Sequence, residues 1–252
     1  MKIRLLTALA GIILASICAA DAGTFSTNAF SDAFAATGPT GNLSGDNFGG
    51  AGALAIAAPG LPQGEFQTVL QFNLSGAFNS FNAQYGVGQW SIQSVTLQLT
   101  SSPHNNAIFN NIAAGQFGVS LMQNNSWVEG TGTGGIPTTD GISFNSLEST
   151  YINNASDQAL GTFNFPGGST GANDYALNLS SGVIGDVSSG ADMSLRLFAA
   201  DNSLSYLFSA RGAGASIAPE LIITATVPEP GTIALGVLGL ALVWAKRQLC
   251  PT

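Results

Sequence analysis

The chain has 252 residues, 45% hydrophobic and only 8% charged, with 32 glycines and a net charge of −8. That length holds one domain of sandwich or barrel size, or two small ones. The acidic balance argues against a nucleic-acid partner, which needs a basic face. Fifteen Phe argue against disorder, and two Cys exclude a disulfide scaffold.

The N-terminus reads as a secretory signal. Lys2 and Arg4 supply its charge, residues 5–17 its apolar stretch, and Ala20-Asp21-Ala22 an A-x-A cleavage site. Cys18-Ala19-Ala20 is a neighbouring option for the cut, but Ile17 stands where a lipoprotein needs a small residue. Residues 1–22 are therefore assigned to a signal peptide. The apolar run is shorter than the roughly 20 residues that a membrane span requires.

Between Gly23 and Val227 the chain carries two arginines against twelve acids and no lysine, a charge of −10. Short runs of alternating hydrophobicity dominate, separated by Gly, Asn, Ser and Pro. They fall at residues 66–74, at 92–100 with Val95, Leu97 and Leu99 on one face, and at Phe117, Val119 and Leu121. Phe163 and Phe165 follow, then Tyr175, Leu177 and Leu179, and Met193, Leu195 and Leu197. Leu204, Tyr206 and Phe208 precede the last run, Leu221, Ile223 and Ala225. About nine such strands must bury their apolar faces against one another. The expectation is an all-β fold: one antiparallel β-sandwich over residues 23–226, of jelly-roll type. The long segments 101–116 and 124–140 belong at its edges. Two smaller β-units divided near 124–140 form the alternative.

Several pieces of this region resemble the secreted DNRLRE-type domain, a β-sandwich related to some carbohydrate-binding modules. They are Asn47-Phe48-Gly49, Leu54-Ala55-Ile56, the run 70–75, the run 92–99 and Trp127-Val128-Glu129-Gly130. Gly141-Ile142-Ser143-Phe144, Ser194-Leu195-Arg196-Leu197, Phe208-Ser209-Ala210-Arg211 and the run 218–223 complete the order. Phe144 replaces the family's usual Trp, and Ala210 its usual acid. The resemblance implies the fold rather than a ligand.

Candidate chemistry in this region is sparse. His104, the only histidine, sits in a Ser-Pro-His-Asn loop without the Cys or His partners of a zinc site and reads as a solvated residue. Trp90 and Trp127 have flat faces suited to stacking on sugar rings, and Glu129 lies beside Trp127 in an aromatic-acid-glycine sequence. The simpler reading puts Trp127 in the core and pairs Glu129 with an arginine. Loop oxygens at Asp46, Asn47, Asp174 and Asp201 suit calcium, with Asp140, Asn173 and Asn202 nearby in type. None follows the spacing of a calcium loop, and Asx turns account for the same residues. Arg196 and Arg211 are too few for a basic groove, so an acidic glycan would need bridging calcium. No catalytic constellation is legible. Thr131-Gly132-Thr133 is too short for the flat threonine array that ice binding requires.

The C-terminus, 227–252, has three parts. Pro228, Glu229 and Pro230 impose an extended segment. The apolar run 233–245 spans about 20 Å as a helix, short of a bilayer core of about 30 Å. Lys246 and Arg247 then hold the cytoplasmic side. This order resembles the PEP-CTERM sorting signal of Gram-negative bacteria, a tail also labelled as the C-terminal domain of ice-binding proteins. The resemblance implies transient inner-membrane anchoring, recognition by an exosortase, and delivery to the cell surface or an exopolysaccharide matrix. The functional expectation is a non-catalytic, surface-sorted matrix protein. A carbohydrate-binding module is the alternative, and a polysaccharide-active enzyme stands third.

Overall fold

The structure is a computed structural model and describes residues 22–102, 108–109, 111–168 and 171–227. The signal stretch before Ala22, His104 and the whole tail from Pro228, with Glu229, Pro230, Lys246 and Arg247, lie outside these residues. So does the expected membrane segment 233–245. Among the described residues no helix is long and apolar enough to cross a membrane.

Eleven strands form two antiparallel sheets. They are β1 (Ala22–Asn28), β2 (Ser31–Ala36), β3 (Ala53–Ala57), β4 (Phe66–Asn73), β5 (Ser91–Thr100) and β6 (Gly115–Met122), followed by β7 (Gln158–Phe165), β8 (Ala172–Leu177), β9 (Asp192–Ala199), β10 (Ser205–Ser209) and β11 (Glu220–Thr226). One sheet has the order β1-β11-β5-β8, and the other β10-β3-β4-β9-β6-β7 with β2 paired to β4. The all-β sandwich expected from alternation is present.

The pairing is nested. Strand β6 pairs with β7, β5 with β8, β4 with β9, β3 with β10 and β1 with β11, all antiparallel. Only β2 stands outside this scheme. The chain therefore behaves as one long hairpin folded over itself, and each half needs the other to close a sheet. A division into two units near 124–140 is incompatible with this, because that segment lies inside the loop of the innermost β6–β7 pair.

Alternation decides which side chains enter the core. Leu70, Phe72, Val119, Leu121, Leu195 and Leu197 from the larger sheet meet Val95, Leu97, Tyr175, Leu221 and Ile223 from the smaller one. On the smaller sheet the intervening residues face outward, and many are small and hydroxylated: Thr24, Ser26, Ser94, Thr96 and Thr224, beside Ile222 and Gln98. On the larger sheet the outward face is covered instead. Ala33, Ala35, Val69, Met122, Trp127, Ile142 and Leu147 form a second buried layer there. Segment 124–140, expected at an edge, contributes Trp127 to that layer.

Sequence alternation missed β1, β2 and β3: the first two are Gly-, Ala- and Ser-rich with one Phe each, and β3 is the Ala-rich run Ala53–Ala57. Leu179, placed in a strand by its spacing, lies beyond β8 and is exposed. Helix α1 (Ser75–Tyr85) links β4 to β5 and buries Ala77 and Phe81. The short helix α2 (Phe144–Ser146) starts from a Ser143–Ser146 capping box and continues into a wide turn at Leu147–Tyr151. Helix α3 (Ser181–Ser189) links β8 to β9, capped by the Ser180 hydroxyl at one end and by left-handed Gly190 at the other.

Register places several features at one end of the sandwich. Ala22 pairs with Thr226, and Thr226 with Ser91 at the start of β5. Asn73 at the end of β4 pairs with Asp192, and Met122 at the end of β6 with Ser194. The chain therefore enters and leaves the domain side by side, at the end where β6 gives way to its long loop.

Candidate functional site

A cleft of about 610 Å³ opens where that loop departs and returns. One wall is residues 123–126, directly after β6, and the other comprises Thr150, Tyr151, Asn153 and Ser156. Both walls are runs of Asn and Ser, which form turns by hydrogen bonding to nearby backbone. Asn124 Oδ1 accepts from the Ser126 amide (2.9 Å) and hydroxyl (2.7 Å). Asn153 Oδ1 accepts from the Ala155 amide at 3.1 Å. Asp157 joins the walls: one carboxylate oxygen accepts from the Gln123 amide at 3.0 Å, the other from the Asn153 amide at 2.9 Å. Asn125 ties the first wall to the sheet, donating to the Asp192 carbonyl at 2.7 Å and accepting from Gln71 at 2.9 Å through its own carbonyl.

Among the described residues, the Gln123 side-chain amide, Asn125 Oδ1, Asn153 Nδ2 and Tyr151 Oη carry no hydrogen bond within the protein. All four groups belong to residues lining the cleft. No charged side chain lines it. Tyr151 is half-buried and packs against the layer containing Trp127 and Leu147.

The residues singled out from sequence lie elsewhere. Trp127 is 4% exposed, and its Nε1 donates to the Ser194 hydroxyl at 3.0 Å. Its ring is covered, as the simpler reading of a core residue had it, and is not offered to a sugar. Trp90 is half-buried against Phe81, with Nε1 donating to Asn82 Oδ1 at 2.9 Å. Glu129 is engaged by Arg211, whose Nη2 lies 2.7 and 2.6 Å from its two oxygens. Arg196 donates to Gln67 at 2.7 Å and pairs with Glu148 at 3.2 Å. Both arginines of the domain are thus committed to internal partners.

The oxygens considered for calcium are dispersed, and those of Asn47, Asp174 and Asp201 accept hydrogen bonds within the protein. Asn47 is fully buried, and its Oδ1 accepts from the Gly49 and Gly132 amides at 3.2 and 3.1 Å. Its Nδ2 donates to the carbonyls of Glu129 (2.6 Å) and Ile142 (2.8 Å). Asn47 is a bracket for the long loop, not an open ligand. Asp201 accepts from the Gln116, Ser203 and Leu204 amides; burial raises its pKa, but these bonds hold it below the ordinary value. Asp174 accepts from Gln98 at 2.8 Å, on the far sheet. Asp46 is half-buried before β3. Among the described residues no three His, Cys, Asp or Glu side chains gather as a metal site. The hydroxyls of Thr138 and Thr131 and the Thr131 amide hold the Asp140 carboxyl down at about 2.

One carboxyl behaves differently. Asp32 on β2 is 1% exposed, and burial pushes it up to about 6 against the Arg211 amide at 2.5 Å. Glu129 adds to the rise and the Arg211 charge opposes it. This acid is sealed from solvent and away from the cleft lining.

Reasoning from sequence missed the cleft. Its available signal was the pair of amide-rich runs, Gln123-Asn124-Asn125-Ser126 and Asn153-Asn154, which read only as loop. No family model matches the chain, and no curated protein is significantly similar to it.

Proposed function

We propose that this chain is an exported, non-catalytic β-sandwich sorted to the surface or matrix of a Gram-negative envelope. The carrying observation is the pairing of Ala22 with Thr226. The two strands that close the smaller sheet begin directly after the signal stretch and end two residues before the Pro-Glu-Pro segment. Removal of both terminal segments therefore leaves the nested pairing whole. The same nesting supports the finer reading of a jelly roll: strands β1, β4, β5, β6, β7, β8, β9 and β11 pair first with last, inward to β6 with β7. The basic-tipped tail supports transient anchoring through 233–245 and recognition by an exosortase. A non-catalytic role is favoured because Glu129 is bound to an arginine and Asp32 is buried, so neither is offered as a free acid or nucleophile.

Intact-mass measurement on protein released from the cell surface tests this reading. The expected product starts near residue 22 or 23 and ends near Pro228–Pro230. A surface product that still carries Lys246 and Arg247 overturns it.

A further inference from the structure

We propose that the cleft between residues 123–126 and 150–156 is a binding site for neutral polysaccharide. The inference rests on the reading of an exported matrix protein only for where such a polymer is met. Its volume of about 610 Å³ is ample for a short run of sugar units. Sugar hydroxyls both donate and accept, and side-chain amides do the same. The side-chain groups left free here match that need: the Gln123 carboxamide, Asn125 Oδ1, Asn153 Nδ2 and the Tyr151 hydroxyl, all on residues lining the cleft.

The electrostatics select against acidic polymers. The domain carries −10, and its two arginines are held by Glu148 and Glu129. No cation lines the cleft to offset a uronate or sulfate. The backbone selects against peptides, which bind through main-chain hydrogen bonds. The backbone N–H groups of Gln123, Ser126, Asn153 and Ala155 are already satisfied by Asp157, Asn124 and Asn153 side chains. What remains is recognition by side chains on fixed walls, with Tyr151 as the aromatic surface. Because Asp157 clamps both walls before any ligand arrives, little ordering accompanies binding.

Affinity electrophoresis of the full chain in mild detergent tests the site. The gels contain mixed-linkage β-glucan, galactomannan, dextran or, as the acidic comparison, alginate. Retardation is expected in at least one neutral gel and not in alginate alone. Tyr151→Ala is expected to weaken it about tenfold, the loss typical of an aromatic anchor. Gln123→Ala, a side chain with no internal bond, weakens it with an unchanged melting curve. Tyr151→Phe separates ring from hydroxyl, and Trp90→Ala leaves retardation intact. The proposal is overturned if no neutral polymer retards the chain, if only alginate does, or if Tyr151→Ala and Gln123→Ala migrate as the parent does. Surface processing is read separately by mass, so failure of the cleft and failure of the sorting reading are distinguishable.

Discussion

Arg211 meets both carboxylate oxygens of Glu129, at 2.7 and 2.6 Å, joining the turn after β10 to the loop that covers the outer sheet face. The arginine is 46% exposed and the glutamate 17% exposed. Solvent screens such a pair, so its direct contribution is about 1 kcal/mol or less. Its stronger effect falls on Asp32. Glu129→Gln removes a like charge and should lower the Asp32 titration midpoint, whereas Arg211→Ala removes the opposing cation and should raise it. Carboxyl NMR titration of the two variants checks the signs, and shifts in the same direction would refute the arrangement.

Asp32 also sets a pH dependence. Its carboxyl titrates at about 6 in the fold against an ordinary value of 3.8. Between these values the folded chain keeps a proton that the unfolded chain has lost. Stability therefore falls as pH rises, and the contribution present below 3.8 is lost by about pH 6, at most about 3 kcal/mol. Burial pushes Asp186 to about 6 as well, with the same sign. Asp140 has the opposite sign, and its contribution disappears only as pH falls from 3.8 toward about 2. The thermal midpoint should rise from pH 8 to about pH 4 and decline below pH 3. Asp32→Asn should be more stable than the parent at pH 8 and show a flatter profile; identical profiles would exclude this role.

Asn47 brackets the loop through five side-chain hydrogen bonds, to Gly49, Glu129, Gly132, Thr138 and Ile142. Asn47→Ala leaves buried donors and acceptors unpaired and should destabilise by about 3 kcal/mol. Asn47→Asp sets a carboxylate against the carbonyls of Glu129 and Ile142 and should be at least as damaging. Urea unfolding gives the magnitude. Hydrogen exchange should show the Gly49 and Gly132 amides losing protection first. A loss below 1 kcal/mol for both variants would contradict the bracket.

Trp127 lies against Val69, Met122 and Leu147 with its indole N–H on Ser194. Trp127→Ala should destabilise by about 3–5 kcal/mol, as expected for an emptied aromatic site. Trp127→Phe should lose less, chiefly the hydrogen bond and part of the ring contact. Iodide should quench little of its fluorescence in the folded chain. Strong quenching would place the indole at the surface.

Legibility followed periodicity. Val95, Leu97 and Leu99, or Leu221, Ile223 and Ala225, declare a strand because every second residue is apolar and one face is solvated. Strand β2, Ser-Asp-Ala-Phe-Ala-Ala, is buried on both faces and shows no such alternation. Trp127 and Glu129 drew notice as chemical types, but type does not report exposure. The cleft residues drew none, since Asn and Ser in a run mark a turn whether or not the turn also forms a wall.

The sequence by itself determined the class of fold and the acidic, lysine-free character of the strand-rich region, because alternation and charge are local properties. Only the tertiary structure decided that the strands nest as a single hairpin. It also decided that both arginines are spent internally, that Trp127 is core, and that two distant Asn-rich runs face each other across a cleft. Those outcomes depend on contacts between residues far apart in the chain, as Thr24 and Thr224, 200 positions apart, are. Such contacts are fixed by the register of one sheet on the other, which no local pattern encodes.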